Sequence, residues 1–127
     1  MVETKVLVVE DEVIVARTIA NQLTQLGYTV VDLAASGAAA IAKATDQQPD
    51  LILMDIFLKG NMDGITAASE IRSQLDVPIV FLTAYADENT LQRAKATLPM
   101  GYIVKPFNES ELRVAVELAL FKHRMEQ

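Results

Sequence analysis

The chain reads as an α/β domain built on a doubly wound parallel sheet with strand order 2-1-3-4-5, and three observations lead there. Short β-branched runs alternate with longer segments of helical period along the 127 residues, the pattern of βαβ units joined by right-handed crossovers. The short runs are nearly continuous in Val, Ile and Leu, as strands covered by helices on both faces require. Four of them end on reactive polar residues: Glu10 and Asp11 after the first, Asp55 after the third, Thr83 after the fourth and Lys105 after the fifth. In an open parallel sheet those ends share one edge, where ligands bind.

Taken in order, the first strand is Lys5–Val9. The helix after it, Val13–Leu26, keeps apolar residues at Val13, Ala16, Ile19, Ala20, Leu23 and Leu26 and stops at Gly27, a natural terminator. Strands Thr29–Ala34, Leu51–Met54, Ile79–Leu82 and Tyr102–Val104 follow, separated by helices Gly37–Asp46, Gly64–Gln74 and Asn89–Ala96 and closed by Glu109–Arg124. Asp63 and Asn108 stand where N-caps belong, because a short side-chain oxygen there accepts an orphan amide. Pro49, Pro78 and Pro99 fall in connections, where a missing donor does no harm. Neither repeats nor a linker interrupt the pattern, so residues 1–127 are expected to form a single domain.

Composition narrows the function. Seventeen acidic against 11 basic residues, net −6, argue against direct binding to nucleic acid, which needs a basic surface. The absence of Cys removes a disulfide framework and a thiol zinc site and suits a reducing compartment. No apolar stretch is long enough to span a membrane, and the start of the chain lacks a signal-peptide pattern, so a cytoplasmic location is expected.

Taken singly, the polar residues have plain explanations. Glu10, Asp11 and Glu12 would suit the positive end of the first helix, Asp55 and Thr83 would be strand ends, and Lys105 a loop charge. Taken together they form a set. Crowded carboxylates repel one another, and a hard divalent cation with oxygen ligands, Mg²⁺ or Mn²⁺, relieves this. Asp11 and Asp55 are the expected direct ligands, with Glu10 acting through water. Asp55, ionised at neutral pH, can attack phosphorus without a general base and form an aspartyl phosphate. Lys105 and the Thr83 hydroxyl, with the metal, would stabilise the charge that accumulates on the phosphoryl oxygens.

The pieces VLVVEDE at Val6–Glu12, PDLILMD at Pro49–Asp55, MDG at Met62–Gly64, PIVFLTA at Pro78–Ala84 and GYIVKPF at Gly101–Phe107 resemble, in order and spacing, the receiver domain of two-component response regulators. The resemblance covers essentially the whole chain. It implies a flavodoxin-like (βα)5 three-layer sandwich and a phosphorelay switch that catalyses only its own phosphoryl transfer and dephosphorylation. It implies that Asp55 is loaded by a sensor histidine kinase or phosphotransfer protein, and that the metal is held by Asp11, Asp55 and the backbone carbonyl of Phe57. Thr83 and Tyr102 would form the conformational switch, and the Lys105–Pro106 peptide would be cis. Ala84 would keep the pocket accessible, while bulky Phe57 and Tyr85 at its mouth would slow attack by water. The sequence departs from the family pattern at Glu10, where aspartate is frequent, at Lys59-Gly60, and at Leu98-Pro99-Met100-Gly101.

The last helix carries two apolar stripes. Leu112, Val116, Ala119 and Leu120 suit packing on the sheet, whereas Val114, Leu118, Phe121 and Met125 lie on another face. The second stripe is expected to be a contact surface, for a homodimer or for a covalently linked further domain. His123, the only histidine, is flanked by Lys122 and Arg124 in the last turn, where positive charge suits the helix dipole. Two rival classes fit less well. A haloacid-dehalogenase-type phosphatase needs an acid two residues beyond its nucleophile, where this chain has Phe57, and a flavodoxin-like cofactor binder needs a Ser/Thr/Gly-rich phosphate loop where this chain has Glu10-Asp11-Glu12.

Overall fold

The computed structural model describes residues 3–84 and 87–126. Five strands alternate with five helices: β1 Lys5–Val9, α1 Val13–Gln25, β2 Thr29–Ala34, α2 Gly37–Gln47, β3 Leu51–Asp55, α3 Gly64–Arg72, β4 Ile79–Thr83, α4 Glu88–Ala96, β5 Gly101–Val104 and α5 Glu109–Met125. All strand pairs are parallel, and the sheet order is β2-β1-β3-β4-β5. The fold class and every element expected from the sequence are present. The differences lie at element ends, where Asp55 and Thr83 are the last residues of their strands.

Side-chain alternation splits the strands between two cores. Leu7, Val9, Ile52, Met54, Ile79 and Phe81 pack with Ala40, Ala44, Ile65, Ala68, Ile71 and Ala94, the face covered by α2, α3 and α4. Val6, Val8, Leu51, Leu53, Val80 and Leu82 pack with Ile19, Leu23, Leu112, Val116 and Ala119, the face covered by α1 and α5. Every residue of β3 and β4 is buried, which explains why these strands lack polar residues until their last position.

The helix starts follow local chemistry. Asp63 and Asn108 accept from the amides of Thr66 and Glu111 at 2.8 Å each, and Glu111 returns the bond to the Asn108 amide, completing a capping box. Ser36 and Asp87 cap α2 and α4 in the same way. The first helix differs from expectation at its start. Its buried stripe begins at Ala16, since Val13 and Ile14 are exposed, 59% and 82%. Gly27 ends the segment with φ +97°, a conformation costly for other residues.

Candidate functional site

Strand register assembles the polar residues. Val9 lies opposite Met54, so the next residues, Glu10 and Asp55, emerge side by side. Asp55 lies opposite Leu82 and Thr83 opposite Val104, so Thr83 and Lys105 extend the same edge on the far side. The chain leaves these ends through backbone bonds that continue the ladder: Ile56 N–H to the Leu82 carbonyl at 3.0 Å and Lys105 N–H to the Thr83 carbonyl at 2.8 Å.

Glu10, Asp55 and Thr83 are the three buried polar or charged residues among those described. One carboxylate oxygen from each of Glu10, Asp11 and Asp55 lies within 4.8 Å of the other two. The Lys105 ammonium donates to Glu10 and, at 3.3 Å, to Asp55 Oδ2. The other oxygen of Asp55, Oδ1, accepts the Phe57 amide at 3.1 Å. The Lys105–Pro106 peptide is cis, as the resemblance implied.

The electrostatics follow from this crowding. Burial, then the shared hydrogen bond and charge of Glu10, push Asp55 from an ordinary 3.8 up to about 7, against the opposing pull of Lys105 and the Phe57 amide. Burial works against the Lys105 charge, but Glu10 and Asp55 outweigh it and raise its pKa. The acids are therefore not spent on capping: Glu12, the N-cap of α1, makes no side-chain cap bond, although Glu10 Oε2 accepts the Glu12 amide at 3.2 Å. Three carboxylate oxygen donors at this spacing suit a hard divalent cation.

Two supports were not legible in the sequence. Asp11 Oδ2 accepts the amide of Lys59 at 3.0 Å, so the Lys59-Gly60 turn, with Gly60 at φ +104°, orients a carboxylate of the cluster. Gly64 opens α3 directly against the end of β3, its amide bonded to the Ile56 carbonyl at 2.8 Å, and a Cβ there would sit 1.9 Å from the Asp55 carbonyl oxygen. Only glycine fits, which gives Gly64 of the Met62–Gly64 segment a physical reason.

The remaining sequence-marked residues lie around this centre. Phe57 is half-exposed at the mouth, and Ala84 is exposed beside Thr83. Tyr102 stands one strand away on β5, 37% exposed, its ring 6.2 Å from that of Phe81. Tyr85 lies outside the described residues. Val114, Leu118, Phe121 and Met125 are exposed on α5, on a different face from the sheet-packed Leu112, Val116 and Ala119.

Comparison with known proteins agrees with this geometry. Residues 6–117 match the response regulator receiver domain family. The transcriptional regulatory protein PdtaR of Mycobacterium tuberculosis is 41% identical over 123 residues, covering 97% of this chain and 60% of PdtaR. The signal receiver domain of a modulated diguanylate cyclase from Desulfovibrio desulfuricans superposes with a TM-score of 0.93 at 37% identity, covering 99% of this chain and 100% of that one. The N-terminal domain of a response regulator/sensory box/GGDEF three-domain protein from Carboxydothermus hydrogenoformans superposes with a TM-score of 0.89 at 40% identity, covering 97% and 98%. The chain spans from a quarter to three-fifths of the length of the curated relatives it matches. A doubly wound sheet whose switch point holds an acidic cluster and a lysine, matched over nearly its whole length by these sequences and folds, belongs to the receiver domain family of two-component response regulators.

Proposed function

We propose that Asp55 is the phosphoacceptor of this receiver domain, and the observation that carries the proposal is the convergence of Glu10, Asp11, Asp55 and Lys105 at the sheet's switch point. A carboxylate oxygen of Asp55 attacks the phosphorus of a phosphohistidine. The P–N bond breaks, its electron pair leaves with the imidazole, which takes up a proton, and an acyl phosphate remains on Asp55. Later attack by water on phosphorus breaks the P–O bond to Asp55, releases inorganic phosphate and returns the carboxylate.

The residues divide the work. Asp55 must be ionised to attack, yet its surroundings raise its pKa to about 7. Glu10, Asp11, Asp55 and the Phe57 carbonyl are the groups that would hold Mg²⁺ or Mn²⁺, whose charge favours the ionised carboxylate and offsets that of the phosphoryl oxygens. Lys105, already bonded to Asp55, is placed to follow the new charge onto a phosphoryl oxygen. Thr83, at the end of the adjacent strand, offers a hydroxyl to the same oxygens, and its displacement toward them would open space for Tyr102 to turn inward. Phe57, and Tyr85 with it, would restrict water at the mouth beside the small Ala84.

The donor is a sensor histidine kinase or phosphotransfer protein, and the domain turns over no substrate beyond its own phosphoryl group. No helix among the described residues is long and apolar enough to cross a membrane, and we place the domain in the cytoplasm, where phosphohistidine donors of this class operate.

Intact mass after incubation with acetyl phosphate tests the assignment. The expected result is a gain of one phosphoryl group that requires Mg²⁺ and disappears in Asp55→Asn and Lys105→Ala proteins that still fold. A gain of equal size in Asp55→Asn would place the acceptor elsewhere.

A further inference from the structure

The carboxylates of the cluster are not equally free to meet a cation. Lys105 donates to Glu10 Oε1 and to Asp55 Oδ2, the Glu12 amide donates to Glu10 Oε2, and the Phe57 amide donates to Asp55 Oδ1. On Asp11, the Lys59 amide occupies Oδ2 at 3.0 Å. Asp11 Oδ1 is thus the one carboxylate oxygen of the cluster that accepts no hydrogen bond among the described residues. A cation that takes Oδ1 displaces no donor.

The amide that leaves Oδ1 free is held in place by packing on either side of it. Leu58, the residue before Lys59, is buried in the core shared with α2 and α3, and Met62 packs against the same core. A Cβ on Gly37, at the start of α2, would lie 2.8 Å from Met62 Sδ, so that glycine leaves the notch in which the thioether sits. Between these two anchors Lys59, Gly60 and Asn61 are exposed, and the chain turns through Gly60 at φ +104°, where a side chain would be strained. The Lys59 ammonium forms no salt bridge among the described residues, so the contribution of this residue to the cluster is its N–H.

A carboxylate with one oxygen tied to an amide offers a metal only the other, and that restriction separates cations by size. Mg²⁺ demands near-ideal octahedral geometry, keeps several waters and is satisfied by single oxygens from one or two carboxylates, whereas Ca²⁺ gathers about six to eight oxygens and often takes a carboxylate through both of its own. Tying Oδ2 also fixes the direction of Oδ1 before the ion arrives. Hydrogen bonds that orient a ligating carboxylate in this way are typically worth about 10- to 100-fold in metal affinity.

We infer that the Lys59 amide is a positioning and selectivity group of the cation site: by occupying Asp11 Oδ2 it presents Oδ1 alone, which favours Mg²⁺ and disfavours Ca²⁺. The inference rests on the reading of Glu10, Asp11 and Asp55 as the cation site and does not depend on Asp55 as the phosphoacceptor.

Isothermal titration calorimetry of Mg²⁺ and of Ca²⁺ into metal-free protein tests it on two variants that lose the same charge: Lys59→Ala keeps the amide, and Lys59→Pro removes it. Lys59→Pro is expected to bind Mg²⁺ about tenfold more weakly than Lys59→Ala and to lose less affinity for Ca²⁺, which gains the freed oxygen. Amide hydrogen exchange keeps the test decisive if proline distorts the turn. The exposed Lys59 amide is expected to be protected in wild type, to stay protected when Mg²⁺ is added, and to exchange freely in Asp11→Ala. Equal Mg²⁺ affinity in the two Lys59 variants, or equal losses for both cations, would overturn the inference and leave the cation site standing. So would a Lys59 amide that loses its protection on addition of Mg²⁺, since the ion would then have taken Oδ2. A wild type that binds neither cation would overturn the cation site and the inference together.

Discussion

The strand ends at the acidic cluster and the α4–β5 side of the sheet are built in opposite ways. Around the cluster, β3 and β4 are buried along their whole length, and the next turn is pressed so closely on β3 that only Gly64 fits. Across the sheet, Ala94 is the sole buried residue of α4, and β5 leaves Tyr102 and Val104 exposed. Beyond Ala94, polar contacts tie α4 to the rest: Arg93 reaches Asp63 at 2.9 Å and Thr66 at 3.4 Å. Burial opposes the ionised form of Asp63, but the Thr66 amide and the Arg93 guanidinium outweigh it and hold its pKa below the usual carboxylate range. The difference teaches where the fold spends rigidity. Groups that must meet within a few ångströms are set on elements that cannot shift, whereas the neighbouring helix and strand can be repositioned at small cost. Arg93 links the two regions, since the cap it holds starts the helix that Gly64 presses onto β3.

The largest expected effect breaks the rigid side. Gly64→Val should destabilise the domain by more than about 4 kcal/mol in urea unfolding, because the added side chain meets the Asp55 carbonyl backbone, which cannot yield.

Next comes the contrast between helices. Leu112→Ala, at a fully buried α5 position, should cost about 3 kcal/mol, while Leu91→Ala on α4, only partly buried, should cost less than about 1 kcal/mol. Equal losses would mean that α4 is as firmly packed as α5.

A third prediction concerns pH. The folded protein holds a proton on Asp55 up to about 7 that the unfolded chain releases near 3.8. Between those values the native state binds more protons, so this group's contribution to stability falls as pH rises and stays low above pH 7. Asp55→Asn removes the dependence. In metal-free buffer it should match wild type near pH 4 and exceed it by on the order of 2 kcal/mol at pH 8, with Mg²⁺ narrowing the gap by stabilising wild type alone. Wild type that gains stability relative to the variant between pH 4 and 8 would contradict the assigned environment.

The smallest effect sharpens the link. Arg93→Ala removes a half-exposed ion pair and should cost about 0.5 kcal/mol globally, yet amide hydrogen exchange across Glu88–Ala96 should accelerate while β3 and β4 keep their protection. Uniform acceleration would place α4 within the rigid body.

The same division governed what the sequence could reveal. The strands were legible because burial on both faces demands unbroken Val, Ile and Leu, and the polar residues stand out at their ends for that reason. The caps Asp63 and Asn108 were legible because capping is local. Contacts across the chain were not: nothing near Gly64 announces the β3 carbonyl, nothing in Lys59 predicts that its amide holds Asp11, and Arg93 resembles any surface cation until α3 lies beside it. The exposure of Val13 escaped for a related reason, since helical period shows which residues share a face but not how far along the helix that face is covered.

Trapping shows whether this acidic cluster accepts a phosphoryl group with Asp55 as its nucleophile. Protein incubated with acetyl phosphate and Mg²⁺ is treated with borohydride, which reduces an aspartyl phosphate to homoserine, and then mapped by peptide mass spectrometry. Reduction is expected at residue 55 alone and absent when Mg²⁺ is withheld. Reduction at Asp11 or another acid, or none at residue 55 in protein carrying a phosphoryl group, would contradict it.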